Sequence, residues 1–246
     1  MKRLRGQILL SAVLIALSAV LYVLQIWIFH SQRDTLFYLF QDLAFVPIQV
    51  LLVTVIVDQV LRMREKIAML NKLNMVIGTF FSEEGTRLLR SFSSFDHHFD
   101  QIRRNLIVSK DWTDLNFSKV AKDVGSYDYS LDYKRRDLNE LKTFLVAKRG
   151  FLLRLLENQN LLEHESFTDL LWAVFHLTEE LEARENLAQL SRPDGEHIVG
   201  DMRRAYGLLI VQWLAYMKHL KKEYPYLFSL AVRTNPFDPD ASVVVK

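Results

Sequence analysis

The sequence predicts an all-α protein, with a two-span transmembrane helical hairpin followed by a cytoplasmic helical bundle. Two apolar stretches, residues 8–29 and 36–57, each hold about 22 residues, which is enough for a helix to cross a bilayer. Beyond them, apolar residues recur at helical spacing in one segment after another. Only 8 Gly and 5 Pro occur among 246 residues, which argues against turn-rich β structure.

Composition excludes several classes of protein. The chain is 50% hydrophobic and 24% charged, and its net charge of +2 is too small to predict a nucleic-acid partner. It has no cysteine, which excludes disulfides, thiolate metal sites and cysteine nucleophiles. The sequence contains no phosphate-binding glycine loop, nucleophile elbow or zinc-protease helix. It therefore favours a non-enzymatic protein, and it predicts no cofactor.

Residues 1–61 form the predicted membrane domain, with spans at about 8–29 and 36–57. The link between the spans, residues 30–35, is short, so the two helices are expected to be antiparallel neighbours. Its one basic residue is Arg33. Seven basic residues lie near the other ends of the spans: Lys2, Arg3, Arg5, Arg62, Arg64, Lys66 and Lys72. The positive-inside rule therefore predicts a plasma (inner) membrane protein with both termini in the cytoplasm.

Polar side chains recur every seven residues within the two spans. They are Ser11, Ser18 and Gln25 in the first span, and Asp42 and Gln49 in the second. Closing the hairpin brings Gln25 opposite Asp42 and Ser18 opposite Gln49. In one interpretation these residues hold the two spans together through interhelical hydrogen bonds. In the other, Asp42, Gln49 and Gln25 line a polar path or an ion site.

The second span continues into water as one predicted helix that ends near Phe81. Beyond the span, an apolar stripe has the alternating spacing of three and four that is typical of a coiled-coil seam. Its members are Val60, Met63, Ile67, Leu70, Asn74, Ile77 and Phe81. Asn74 is the one polar member, and a buried Asn in a seam fixes helix register and copy number. The stripe fits a self-associating helix and an amphipathic helix packed on its own domain equally well.

Residues 62–233 are predicted to form the cytoplasmic helical domain, a bundle of four or five amphipathic helices. Beyond residue 92, the predicted helices cover residues 93–108, 111–125, 131–157, 166–190 and 194–222. The apolar run at 205–217 is too short for a third span and indicates the central helix of a bundle. Residues 234–246 contain two prolines and are predicted to be an extended tail, laid over the bundle or over a neighbouring copy.

Histidines beside carboxylates are the candidates for a metal site. They are His97 and His98 beside Asp96 and Asp100, His164 beside Glu163 and Glu165, and His176 one helical turn before Glu179 and Glu180. Imidazole and carboxylate groups together bind divalent metals. The Glu-x-x-His pairs that form di-iron sites in bundles do not occur on two helices here. The sequence therefore favours surface or capping roles, and it predicts no metal.

Together these features favour a non-enzymatic membrane protein that self-assembles through its long second helix and its bundle. It would act as a membrane scaffold or a simple pore, with the lipid bilayer and further copies of the chain as partners. The alternative is a membrane-tethered enzyme or sensor that binds a metal or small ligand within the bundle.

Overall fold

The structure is a computed structural model that describes residues 2–29, 32–158, 161 and 164–244. Within these ranges it leaves undescribed the side chains of residues 2–12, 14, 15, 29, 32 and 71. The described residues are mostly helical and contain no β-strand, which confirms the predicted all-α class. The chain divides into two compact units, Met1–Lys66 and Ile67–Lys246.

The first unit contains α1, Lys2–Phe29, and most of α2, Gln32–Phe80. In the part of the chain that the structure describes, one helical stretch, Arg33–Phe95, is long and apolar enough to cross a membrane. Ala16–Ile28 is a shorter apolar stretch within α1. The predicted two-span hairpin therefore stays a prediction, and residues 30 and 31 of its link lie outside the described ranges.

The second unit is a helical bundle that begins with the last turns of α2. A π-helical turn, Phe81–Gly85, follows α2, and short 3₁₀ turns lie at Arg104–Leu106 and Leu187–Gln189. The remaining helices are α3 (Thr86–Phe95), α4 (Phe99–Arg103), α5 (Asp114–Gly125), α6 (Leu138–Leu156), α7 (Glu165–Glu182), α8 (Arg192–Glu223) and α9 (Pro225–Arg233).

Helix α8 lies at the centre of this bundle and packs against α3, α5, α7 and α9. Side chains around a broad arc of it are buried, among them Ala205, Met202, Ile210 and Leu214. A helix that is apolar on several faces is stable only when other helices surround it. The central position agrees with the one that the apolar run 205–217 predicts.

Capping residues explain where several helices begin. Thr113 forms a capping box with Asn116 at the start of α5, and Ser191 caps α8 just before a proline in its first turn. The prediction for residues 131–157 began too early, because Asp137 is the N-cap of α6. The prediction for 166–190 ended too late, since α7 stops at Glu182.

The helix predicted over residues 93–108 does not begin at Ser93. Ser93 lies inside α3, where its hydroxyl donates to the Leu89 carbonyl and is hydrogen-bonded to the Tyr206 hydroxyl at 3.0 Å.

The tail packs on its own bundle, where Asn235 donates its side-chain amide to the Leu106 carbonyl at 2.9 Å. Phe237 is buried with its ring 5.0 Å from that of Trp213.

Candidate metal centre

The packing of α7 against α8 brings together two pairs of His and carboxylate side chains. His176 and Glu180 lie one turn apart on α7, and His197 and Asp201 lie one turn apart on α8. Residues four apart share one face of a helix, so each pair presents an imidazole and a carboxylate to the neighbouring helix. The four side chains form one cluster, which we call the α7–α8 centre.

Asp201 is the middle of the α7–α8 centre. Its Oδ2 lies 3.4 Å from Nε2 of His176 and 3.4 Å from Nε2 of His197. The ligand atoms of these three residues all lie within 4.8 Å of one another. Glu180 completes the ring, with its Oε2 3.5 Å from Nε2 of His197 and its Oε1 3.9 Å from Nε2 of His176.

Burial distinguishes Asp201 from an ordinary surface carboxylate. Its side chain is 4% exposed, and its Oδ2 makes no hydrogen bond to any described residue. A buried carboxylate oxygen without a hydrogen-bond partner lowers the stability of the fold by roughly several kcal/mol unless a cation compensates its charge. The side chains of His176 and His197 are 46% and 53% exposed, so the centre is open on the histidine side.

The donor set and its spacing suit a divalent transition metal. Imidazole nitrogens with one or two carboxylates suit zinc, iron, nickel or copper better than calcium or magnesium. A tetrahedral metal with ligands at about 2.0–2.1 Å keeps those ligand atoms about 3.3–3.4 Å apart. The two contacts of Asp201 Oδ2 have this length. The residues that could hold the metal are His176, His197 and Asp201, with Glu180 as a fourth.

Two arginines hold the carboxylates of the centre in place. Arg204 donates to Asp201 Oδ1 at 3.2 Å, which leaves Oδ2 facing the histidines. Arg184 donates to Glu180 Oε2 at 2.6 Å and, through Nη2, to Asp194 Oδ1 at 2.6 Å. These hydrogen bonds lower the pKa values of Glu180 and Asp194, and they raise the pKa of Arg184. Both carboxylates are therefore ionised at neutral pH.

The polar residues that recur every seven positions in the predicted spans lie on helices α1 and α2. Ser18, Asp42 and Gln49 are exposed and Gln25 is half-buried, whereas the side chain of Ser11 lies outside the described part. Their roles as hydrogen-bonded contacts or as a polar path stay predictions.

The predicted seam residue Asn74 is half-buried in the second unit. It lines a cavity of about 490 Å³ together with Tyr216 and His219. Further along the same stripe, Ile77 and Phe81 are buried in the bundle. The end of the stripe therefore packs on its own domain, and the role of Asn74 in copy number stays a prediction.

Sequence reasoning found half of the α7–α8 centre. It placed His176 and Glu180 on one helix face, but it overlooked His197 and Asp201. The available signal was a second His and carboxylate pair with the same spacing, one predicted helix later. Both pairs read His-x-x-x-carboxylate, which differs from the Glu-x-x-His order of di-iron sites.

Comparisons with known proteins identify relatives of the whole chain. The C-terminal helical domain of the uncharacterized protein MJ1433 matches residues 69–233, and the N-terminal helical domain of MJ1433 matches residues 2–61. The uncharacterized protein MJ1433 of Methanocaldococcus jannaschii is 45% identical over 240 residues, which cover 98% of this chain and 96% of that protein. No solved structure matches the chain.

Proposed function

The chain belongs to the MJ1433 family of proteins with two helical domains, and we propose that it is a membrane-anchored metal-binding protein. The metal is a divalent transition metal held by the α7–α8 centre. One observation carries this proposal: the buried Asp201 Oδ2 has no hydrogen-bond partner in the described chain and lies 3.4 Å from two imidazole nitrogens. Sensing and catalysis at the bound metal are both compatible with a centre that is open to solvent.

The membrane anchor is supported by the surface of α2. Large apolar side chains along residues 36–57 are exposed on several sides of the helix, among them Leu36, Phe40, Leu51 and Val57. Soluble monomers rarely expose an apolar surface of this extent, whereas lipid covers it without cost. We propose that α1 also spans the bilayer, and that the plasma (inner) membrane holds both helices, with the bundle in the cytoplasm.

The proposal is tested by loading the purified full-length protein with Zn²⁺ or Co²⁺ in mild detergent after chelation. Metal analysis should find about one equivalent per chain. Asp201→Asn keeps the shape of the side chain but removes its charge, and it should weaken metal affinity by more than the roughly 10–100-fold that a supporting residue contributes. Glu196→Gln, on the same helix beside His197, is the matched control, because Glu196 is paired with Arg192 instead.

Thermal unfolding adds a second measurement that does not depend on metal analysis. Metal should raise the melting temperature of the wild type and of Glu196→Gln, and it should leave that of Asp201→Asn unchanged. In the absence of metal, Asp201→Asn should be at least as stable as the wild type, because it removes a buried charge. A wild type that takes up no metal, or an Asp201→Asn variant that binds as tightly, would contradict the proposal.

Self-assembly is a second candidate function, favoured by the start of the apolar stripe on α2. Val60 and Met63 are exposed large apolar side chains in the first unit, at seam positions of the predicted coiled coil. A second copy of the helix would cover them. The assembled protein would then act as a membrane scaffold or a simple pore.

Oligomer mass in mild detergent tests this second candidate. Replacing both Val60 and Met63 by Ser should lower the mass, whereas Leu61→Ser, equally apolar and exposed but off the seam, should not. Asn74→Leu should change the copy number if Asn74 sets the register. A wild type that is strictly monomeric would exclude both the scaffold and the pore.

A further inference from the structure

We propose that the metal of the α7–α8 centre binds a phosphate group as its exchangeable ligand, and that Arg204 is the second contact of that phosphate. This inference rests on the proposed metal-binding function and names the class of ligand that the centre takes. It draws on three observations: the open side of the centre, the position of Arg204 and the balance of charge.

The open side follows from the exposure of the histidines. Because His176 and His197 are about half exposed, a metal between them has a side that faces solvent. Glu180, the possible fourth ligand, already accepts a hydrogen bond of 2.6 Å from Arg184 through its Oε2, so we take the metal to be held by His176, His197 and Asp201. A metal with two imidazoles and one carboxylate keeps at least one position for an exchangeable ligand.

Arg204 is bound to the carboxylate of the centre. Its Nη1 donates to Asp201 Oδ1, while the other oxygen of the same carboxylate faces the histidines. The side chain of Arg204 is 62% exposed, so its guanidinium carries further N–H donors toward solvent next to the metal. A guanidinium fork matches the oxygen spacing of phosphate, and binds it through two parallel hydrogen bonds.

The charges around the loaded centre favour an anion. A divalent metal, Arg184 and Arg204 carry four positive charges, whereas Asp201, Glu180 and Asp194 carry three negative ones. One positive charge is therefore left over when both imidazoles are neutral ligands. An anionic ligand compensates this charge, whereas a neutral or cationic ligand does not.

The number of oxygens favours a tetrahedral oxyanion such as phosphate over a carboxylate. A carboxylate that gives one oxygen to the metal has one left, which cannot accept both arms of a guanidinium fork. A phosphate monoester that gives one oxygen to the metal keeps two for Arg204. The phosphate could belong to a soluble molecule or to the headgroup of a lipid, since both present the same oxygens.

The test uses the full-length protein loaded with Co²⁺, whose visible absorption reports on the ligands of the metal. Inorganic phosphate should change this spectrum and saturate. Arg204→Gln should weaken phosphate binding about tenfold or more, because it loses a charge-assisted contact. Arg204→Lys should bind phosphate more tightly than Arg204→Gln and less tightly than the wild type. Arg203→Gln is the matched control, since Arg203 is paired with Asp128 and should bind phosphate like the wild type.

A second arm separates the two sources of phosphate. The Co²⁺-loaded protein is placed in phosphatidylcholine nanodiscs with and without phosphatidic acid. A spectral change that needs phosphatidic acid and Arg204 supports a lipid headgroup, and one with inorganic phosphate alone supports a soluble ligand. If neither probe changes the spectrum, or if Arg204→Gln and the wild type respond equally, the inference is wrong. Metal content measured in the same samples shows separately whether the metal-binding proposal has failed.

Discussion

Asp96 is a buried carboxylate in a setting opposite to that of Asp201. Its side chain is fully buried, its Oδ1 accepts the His98 backbone N–H at 2.9 Å, and its Oδ2 makes no hydrogen bond to the described residues. Burial has the larger effect on its pKa, although His98, Arg135 and His97 lower that pKa electrostatically. Burial therefore raises the pKa of Asp96, which shifts the carboxyl toward its neutral form.

We predict that Asp96 makes the folded protein less stable as the pH rises. Since its folded pKa is above its unfolded one, the full stability is present below the usual aspartate pKa of about 3.9 and is lost as the pH rises through the raised value. Asp96→Asn mimics the neutral form, so its unfolding free energy at pH 7 should equal or exceed that of the wild type. Denaturant unfolding in detergent between about pH 4 and pH 8 measures this.

Asp96→Ala is the contrasting variant, because it leaves the His98 N–H without its acceptor. It should lower the unfolding free energy by about 1–3 kcal/mol at every pH. The exposed Asp100→Asn is the control and should change neither stability nor its pH dependence. If Asp96→Asn destabilised the protein as much as Asp96→Ala at pH 7, the carboxyl would have to be ionised in the folded state.

The sequence could predict only part of the α7–α8 centre. Helical spacing alone places His176 and Glu180 on one face, and it does the same for His197 and Asp201. That the two faces meet depends on how α7 packs on α8, which spacing within one helix does not contain. The Arg204 contact to Oδ1 is local, since the two residues are three apart on α8, but the burial that leaves Oδ2 without a hydrogen bond comes from the packing of the helices.

Among the helices, boundaries with a local cap were predictable and those set by tertiary contacts were not. The start of α5 at Thr113 and that of α8 at Ser191 follow from their own side-chain caps. The stretch after Ser130 looked helical, but it pairs with the end of α3. The His97 N–H donates to the Ser130 carbonyl at 2.9 Å, and the Asp132 N–H donates to the Phe95 carbonyl at 3.0 Å. These long-range bonds keep it extended.

Glycine has different roles in two helical segments, and substitution should reveal the difference. At Gly85, in the π-helical turn after α2, an added Cβ would lie 2.6 Å from the Phe81 ring and 2.8 Å from the Phe80 ring. Both rings are buried, so Gly85→Ala should lower the unfolding free energy by about 1–3 kcal/mol. At Gly150, an exposed site inside α6, the nearest atom is the mobile end of Arg154 at 3.7 Å.

Gly150→Ala is therefore the matched control, and it should raise the unfolding free energy by about 0.5–1 kcal/mol through helix propensity alone. Thermal or denaturant unfolding of both variants in one detergent compares the two effects directly. Equal effects of the two substitutions would show that the close packing around Gly85 is not retained in solution.

Two regions of the molecule differ in how directly the sequence explains them. In residues 36–57 the sequence is mostly apolar, and the structure leaves the large apolar side chains exposed. Apolar side chains on every side of a helix indicate that lipid surrounds it. They do not indicate which face of the helix meets another helix. In the unit Ile67–Lys246 the apolar residues are periodic, so each helix has a defined buried face and the core could be predicted in outline.

Membrane topology is the property of the whole chain on which the proposed two-span anchor depends. Basic residues precede the first predicted span and follow the second, so we expect the link at residues 30–35 outside the cell and the bundle inside. The chain has no cysteine, so a single introduced thiol reports one position. On intact cells, a membrane-impermeant thiol reagent should label Ser31→Cys. It should label Ser118→Cys, an exposed position on α5, only after the membrane is opened.

The unmodified chain is the control for background labelling in this experiment. The reverse pattern would place the bundle and its α7–α8 centre outside the cell, where the positive-inside rule does not put them. Labelling of both positions only in opened cells would place the link and the bundle on the same side, which is incompatible with α2 as a span. In either case the metal-binding proposal would stand, because it depends only on contacts within the unit Ile67–Lys246. The two-span anchor would have to be replaced only in the second case.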